Sequence, residues 1–343
     1  MVDDPSPSRA TVAAALGLPV DRVTAAPVPG RVHDHWRVES TAGARLVRVP
    51  KLSHLGLTPR AALAYEAQAF RRAARGGSTP RLHGILRVTP ALPWGALVVD
   101  AVDGRPPRLP EDLPALGRAL AAVHGLPVPS PARRRPLLDP ADPVGYLIGV
   151  ARDQLAPVRD RLAAPVARLL ATELAAAAAA AATVRPAPAL VLADTHPGNF
   201  LVRCDGTAVM VDVERPVYDS PAVDLAHASL PTSLGWDPAV TGSAGRADVV
   251  AFHNAWAAAV PAAVAAAVRA WVLPYRRLVW LRTTSWACAW AARNDLTAAL
   301  ESAEPATAGL ARRLARFVDP AMMESAREQW AGAGAFNVEE LIP

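Results

Sequence analysis

Three polar residues stand where short apolar runs end within residues 190–226, LVLADTHPGNFLVRCDGTAVMVDVERPVYDSPAVDLA. Asp194 closes the first run, Asn199 opens the second, and Asp212 ends the third. A hairpin turn at Asp205 and Gly206 joins the last two. Strand ends hold side chains at the rim of a core, where they can face a cleft. Carboxylate and amide oxygens are hard ligands suited to Mg²⁺, which keeps several waters and takes a few protein oxygens together with phosphates. A further carboxylate beside such an ion can accept a hydroxyl proton. A metal to neutralise phosphate charge and a base to orient an acceptor are what phosphoryl transfer to an alcohol requires. Asp194 alone would read as a cap or turn residue, but the apolar strands around all three argue against a solvated loop.

These residues need elements to hold them. Ser8 or Thr11 can cap a first short helix that ends near Gly17. Residues 36–38 and 46–49 read as two strands joined by a turn at 41–43, and a helix follows over 59–75, stopping at Gly76 and Gly77. Residues 85–88 and 96–99 predict another strand pair. After the turn DGRPP at 103–107 the pattern becomes helical, at 113–124, at 144–183 and from Asp224 onward, interrupted only by the strand-like runs around the three polar residues. The expectation is an α+β chain with two lobes: a small β-rich unit over 1–99, a hinge at 100–104, and a larger helical unit over 105–343, with a ligand cleft between them.

Composition narrows the classes. The chain has 343 residues, 52% hydrophobic and 20% charged, which is globular and not disordered. A net charge of +5 comes almost wholly from arginine, Lys51 being the single lysine, and the longest basic run is Arg133-Arg134-Arg135, so a nucleic-acid partner is not expected. Two cysteines, Cys204 and Cys288, form no CxxC pair and suggest neither disulfide scaffold nor zinc site. The start MVDDPSPS lacks the basic and apolar segments of a signal peptide. The apolar stretches 175–182 and 249–275 read as buried or amphipathic helices, because the second carries His253, Asn254, Pro261 and Arg269, and no membrane partner is expected. A reducing cytoplasm is the expected location.

The block DTHPGNFLV followed by VDVERPVYDSPAVDLA resembles the catalytic and metal-binding loops of the aminoglycoside phosphotransferase family, which has a protein-kinase-like fold. The step from Asp194 to Asn199 has the kinase D-x-x-x-x-N spacing. The order of pieces agrees from about residue 28 to about residue 230; beyond that the likeness is only helical character. The resemblance implies a Mg²⁺-dependent small-molecule kinase using ATP or GTP. It implies Asp194 as catalytic base, Asn199 and Asp212 as Mg²⁺ ligands, and Asp224 as a brace of the catalytic loop through its backbone. Arg48, in LVRV at 46–49, would contact the α/β-phosphates and pair with Glu66 of the next helix. The hinge backbone near Val99 to Ala101, in VVDAVDG, would hold the purine edge, and LGRALAAVHGLP at 116–127 would be the helix and turn that follow.

Three departures from the family pattern stand out. Leu192 replaces the family's histidine two residues before the catalytic aspartate, the phosphate-covering loop at 29–36 (PGRVHDHW) has one glycine, Gly30, and Lys51 rivals Arg48 for the phosphates. His196 is expected to make a structural hydrogen bond near the loop, and His33 and His35 to be solvated. Seven of nine tryptophans fall in the last third, where core packing is expected first and an aromatic wall for a planar substrate second; Trp286 and Trp290 share a helix face. That third has no excess of acid to grip a polycation. The expected acceptor is therefore an antibiotic of macrolide, nucleoside or peptide type ahead of an aminoglycoside. A metabolite alcohol such as choline or homoserine is the alternative, and a non-catalytic pseudokinase the rival from another class. A protein kinase is disfavoured by the short span from Asp212 to Asp224.

Overall fold

In the computed structural model the described residues are 7–26, 32–39, 43–180 and 185–343. Helix α1 (Arg9–Leu16) begins at Ser8, whose hydroxyl accepts the Thr11 N–H, and ends at Gly17 with φ +66°. Strands β1 (Val23–Ala25), β2 (His33–Val38) and β3 (Arg45–Pro50) lead into helix α2 (Pro59–Ala73), and β4 (Leu82–Leu86) and β5 (Ala96–Asp100) complete the sheet. Its order is β1-β2-β3-β5-β4, with every pair antiparallel. The expected turn at 41–43 lies outside the described residues except for Gly43, and Pro29–Arg31 of the expected phosphate loop lie outside them too.

Alternation along these strands decides what faces the cleft. Trp36 pairs with Val47, and Val38, Val47 and Val49 pack with Val12 and Ala13 of α1 in a satellite core on one face. His35 pairs with Arg48 on the other, where the Arg48 guanidinium lies 5.5 Å from the centre of the Phe70 ring of α2.

The remaining chain is mainly helical. Strand β6 (Arg108–Leu109) precedes helices α3 (Leu113–His124), α4 (Pro143–Leu155) and α5 (Ala164–Ala180). Four short strands follow, β7 (Ala189–Val191), β8 (Phe200–Val202), β9 (Ala208–Met210) and β10 (Val217–Asp219), with β10 on β7 and β8 on β9 as antiparallel pairs. Then come α6 (Ala222–Ser229), α7 (Pro231–Leu234), β11 (Thr241–Gly242), α8 (Arg246–Ala259), α9 (Ala262–Arg269), α10 (Val272–Arg293), α11 (Leu296–Leu300), α12 (Pro305–Val318), α13 (Pro320–Arg327) and α14 (Val338–Leu341). Among the described residues no helix is long and apolar enough to cross a membrane. The apolar stretch over 249–275 is broken by Pro261 between α8 and α9.

Two contacts fix the helical layer around the site. Helix α3 lies so close to α8 that a Cβ at Gly117 would come within 2.6 Å of the Phe252 carbonyl oxygen. Helix α10 runs through the core, burying Tyr275, Leu278, Val279, Trp280 and Leu281 against α4, α5, α6 and α12. Buried Glu173 of α5 ties three elements together, accepting from Arg277 at 2.8 Å, Arg327 at 2.7 Å and Trp330 Nε1 at 2.9 Å.

Asp219 at the end of β10 accepts from the Tyr275 hydroxyl and the Ser220 N–H. Burial outweighs these bonds and pushes its carboxyl up to about 6. The unfolded chain carries it near 3.9. The folded state therefore holds the proton more tightly, and this residue's contribution to stability falls as pH rises from about 4 to about 6. The loss is on the order of 3 kcal/mol. Asp219→Asn should remove that slope and unfold at higher denaturant than wild type at pH 7. Urea titrations at several pH values check this, and parallel curves for the two proteins would contradict it.

Candidate active site

The segment leaving β7 turns sharply. Ala193 has φ +66°, a left-handed conformation that an alanine adopts at a cost of about 1–2 kcal/mol. Asp224, in the first turn of α6, offsets that cost. Its Oδ2 accepts the Leu192 N–H and its Oδ1 the Ala193 N–H, each at 2.7 Å. From α10, Arg282 donates to the Ala193 carbonyl at 3.1 Å. Ala193, the residue before Asp194, is thus held at both its N–H and its C=O.

Asp224 is itself held by a relay. Trp256 Nε1, a donor only, lies 2.9 Å from His124 Nδ1, which must therefore accept. The proton of neutral His124 then sits on Nε2, 2.9 Å from Asp224 Oδ2. All three side chains are buried. The next residue is fixed too: the Thr195 N–H donates to His227 Nδ1 at 2.9 Å, and the Thr195 hydroxyl donates to the Asp224 carbonyl. Burial first, then Arg282, His196 and Arg215, hold His227 well below the ordinary histidine value, so it is neutral. Its Nδ1 lies 3.7 Å from Asp194 Oδ1.

This loop presents Asp194 half-buried at the cleft. Asn199 donates through Nδ2 to the Asp194 carbonyl at 2.7 Å, which leaves its Oδ1 available as a ligand. The main chain of Asn199 accepts the Val211 N–H at 2.8 Å, linking the two loops one residue before Asp212. A Cβ at Gly198 would lie 2.4 Å from that of Asp237, so this position accepts only glycine. An amide oxygen and a carboxylate are the donor chemistry of a Mg²⁺ site, and the residues present fit such an ion.

Across the cleft, Arg48 reaches 164 residues along the chain to Asp212, 2.6 Å from Oδ1, and donates to the Val211 carbonyl at 3.3 Å. The expected pairing of Arg48 with Glu66 is not formed: Glu66 Oε2 is 3.1 Å from His33 Nε2. The reason is the strand. His33 lies inside β2, buried, with both ring nitrogens facing carboxylates, Glu66 on one side and Glu214 Oε2 at 3.4 Å on the other. His54 Nε2 adds a contact of 3.2 Å to Glu214. Burial works against the charge of Asp212, but Arg48 and His33 hold it below the usual carboxylate range. Glu214 is pushed up to about 8, by burial first and then by the charges of Asp212, Glu66 and Asp194. Burial and then Arg48 drive His35 down to about 3. The expectation that His33 and His35 are solvated is thus corrected. Lys51, the rival for the phosphates, pairs with Asp34 at 2.8 Å.

Two further expectations change. Val99 sits in β5 with β3 on one side and β4 on the other, so its main chain serves the sheet. The Ala101 N–H donates to the Ala44 carbonyl at 3.3 Å, and the first main-chain donors past the sheet belong to residues 102–104. His196 makes no side-chain hydrogen bond through Nδ1; its ring stands edge-on to His227 and to Trp236, and His227 takes the bonding role nearby. Trp236, Trp286 and Trp290 cluster with Phe317, whereas Trp256 and Trp280 are core residues. Sequence reading missed His33, Glu214, His124, His227 and Arg282. The alternation in HDHWRV was a usable signal for His33, and the alternation in VDVE for Glu214.

A cleft between a five-stranded sheet and a helical layer, with an aspartate, an asparagine and a second aspartate on two linked loops, defines a small-molecule phosphotransferase with a hydroxyl acceptor. The sequence model of the phosphotransferase enzyme family matches residues 24–262, and the chain belongs to that family. No curated protein matches the chain by sequence. Its structure is similar to that of a choline/ethanolamine kinase family protein from Mesorhizobium loti, with a TM-score of 0.62 at 22% identity over 92% of this chain and 93% of that one. It is also similar to the macrolide 2′-phosphotransferase of Brachybacterium faecium, with a TM-score of 0.54 at 16% identity over 88% of this chain and 96% of that one. A spectinomycin phosphotransferase bound to ADP and spectinomycin gives a TM-score of 0.56 at 10% identity over 93% of each chain.

The relay behind Asp224 is open to test. Trp256→Phe removes one buried N–H together with part of a buried ring, which should lower stability by at least about 1–2 kcal/mol in denaturant titrations. His124→Ala should cost more, because it leaves a cavity and strips a partner from a buried carboxylate. Trp256→Phe as stable as wild type would contradict the relay.

Proposed function

We propose that the protein transfers the γ-phosphate of ATP or GTP to a hydroxyl of a small molecule, with Mg²⁺ as cofactor. The observation that carries this reading is the pinned loop, which brings Asp194 and Asn199 to the rim that also holds Asp212. In this reading Asp194 accepts a hydrogen bond from the acceptor hydroxyl and takes its proton as the new O–P bond forms and the bond from the γ-phosphorus to the bridging oxygen breaks, releasing the nucleoside diphosphate. Asn199 Oδ1 and the Asp212 carboxylate hold the ion, which neutralises phosphate charge when bound. Arg48 pairs with Asp212 in the free protein, and on nucleotide binding it exchanges Asp212 for the α/β-phosphates. Glu66 keeps His33 in place beneath them, and the hinge main chain past Ala101 holds the purine edge. Asp224 and the His124 relay keep the base aligned, and the rate comes chiefly from positioning and charge neutralisation.

The acceptor in this reading is an antibiotic, modified for resistance or self-protection. The cluster of Trp236, Trp286 and Phe317 beside His196 supports it, as an aromatic surface suited to a bulky scaffold. We take the reaction to be cytoplasmic, where nucleotide is available and the exposed thiol of Cys204 stays reduced.

The test is a mass-spectrometric screen of hydroxyl-bearing antibiotics and metabolic alcohols with Mg²⁺ and each nucleotide. One acceptor should gain a phosphate with wild type. Asp194→Ala should lose turnover by about 10²–10⁴-fold while still binding nucleotide. Asp212→Ala should weaken Mg²⁺-nucleotide binding itself. Near-normal turnover by Asp194→Ala would overturn the assignment, and tight nucleotide binding with no transfer to any acceptor would favour a pseudokinase.

A further inference from the structure

Three side chains with metal-binding atoms converge where the sheet meets the loop after β9. One ring nitrogen of His33 and one carboxylate oxygen each of Asp212 and Glu214 all lie within 4.8 Å of one another. His33 opens β2, whereas Asp212 and Glu214 flank Val213 just past β9. The His33 and Glu214 side chains are only 3% and 7% exposed. His33 Nε2 is hydrogen-bonded to Glu66 Oε2 at 3.1 Å. In the neutral imidazole that this carboxylate orients, the proton sits on Nε2 and Nδ1 is a lone pair. That lone pair faces Glu214 Oε2 at 3.4 Å without forming a hydrogen bond, and among the described residues Glu214 accepts none at all. Two buried acceptors aimed at each other leave a position that a cation would satisfy.

Each of the three groups is also held from behind. Glu66 orients the His33 ring. His54 Nε2 stands 3.2 Å from Glu214 Oε1, while Oε2 is the oxygen turned to His33. Arg48 Nη2 holds Asp212 Oδ1 at 2.6 Å, and a carboxylate has lone pairs beyond the one this bond uses. A carboxylate behind a ligating histidine, and polar partners behind ligating carboxylates, are what keep metal ligands in orientation. Ligand atoms about 2 Å from a tetrahedral ion stand about 3.4 Å apart. His33 and Glu214 already have that spacing. A cavity of about 10 Å³ adjoins Glu214, with Ser53, His54, Tyr65, Glu66 and Arg215 in its lining, and has room for about one water. His54, 37% exposed, links it to solvent.

We propose that His33, Asp212 and Glu214 form a site for a first-row transition-metal ion of the Zn²⁺ type, with a water as fourth ligand. An imidazole nitrogen among the ligands favours such ions, whereas Mg²⁺ takes oxygen ligands and keeps its waters. The ligand set therefore differs from the Asn199 and Asp212 pair read above as holding Mg²⁺, and only Asp212 is common to both. An arriving ion takes the place of any proton on His33 Nδ1. It also staples the small sheet, through His33, to the loop after β9, through Asp212 and Glu214. The site stands without the phosphotransferase reading, because its argument uses no nucleotide and no acceptor.

The test is a calorimetric titration of Zn²⁺ into the whole chain after treatment with a chelator, without nucleotide, and with Mg²⁺ in large excess. Wild type should bind one ion per chain and should melt at a higher temperature once it is bound. His33→Ala removes the nitrogen ligand, and Glu214→Gln keeps the shape but removes the charge. Each should bind Zn²⁺ at least about tenfold more weakly. Glu214→Gln carries the test should His33→Ala fail to fold. Co²⁺ in place of Zn²⁺ should give wild type the visible absorption of a four-coordinate site, and Glu214→Gln should lose it. Absence of Zn²⁺ binding, displacement of Zn²⁺ by the Mg²⁺, or Glu214→Gln binding as tightly as wild type would each overturn the site. With nucleotide absent, none of these results bears on the phosphotransferase reading, and failure of the acceptor screen would leave this site untouched.

Discussion

The buried carboxylate of Asp224 is the interaction on which the site depends. An alanine at φ +66° is held in a conformation it disfavours, and an aspartate follows it at the cleft. Two hydrogen bonds of 2.7 Å from consecutive N–H groups to one carboxylate fix both facts together. Charge-assisted bonds in a dry interior are strong, and the same dryness makes an unmade one costly. The surrounding structure follows from keeping that carboxylate satisfied. Helix α3 must bring His124 to it, and α8 must bring Trp256 to His124. The close approach of those two helices at Gly117 serves that geometry.

The other half of the site is an exchange of charges across the cleft. Arg48, His33, Glu66 and Glu214 are buried around the half-buried Asp212, and no single pairing satisfies all of them. Arg48 closes on Asp212, His33 bridges Glu66 and Glu214, and Glu214 is driven toward its neutral form. A cluster with more acid than base is suited to receive a further cation, and a buried arginine within reach of phosphates is suited to change partners when one arrives. The strain of one loop and the crowding of the other are thus the two physical features that a nucleotide and its metal would relieve or use.

The loop that carries Asp194 and Asn199 was legible in the sequence because its pattern is local. Asp194 and Asn199 are five residues apart, the flanking runs are strongly apolar, and Asp212 ends the next strand, so spacing and the likeness to the aminoglycoside phosphotransferase loops together carried the reading. The small sheet and the helical remainder were legible from periodicity for the same reason. The partnership of Arg48 with Asp212 was not, since it spans 164 residues and depends on how the sheet sits over the helices. His33 was read as part of the phosphate-covering loop that the family resemblance implies at 29–36, although the alternation in HDHWRV fits a strand with His33 and His35 on one face. Leu192 stands where the family has a histidine, and the burden of holding the loop is carried by Asp224, His227 and Arg282. None of these adjoins the loop in sequence, and Arg282 lies 89 residues from the carbonyl it holds.

The most direct test of this account is a crystal structure with Mg²⁺ and a non-hydrolysable nucleotide. The account predicts the triphosphate in the cleft, Arg48 moved from Asp212 to the phosphates, Asn199 and Asp212 on the metal, and the main chain from Leu192 to Thr195 unchanged. Nucleotide bound elsewhere, or a catalytic loop rebuilt away from Asp224 on binding, would contradict it.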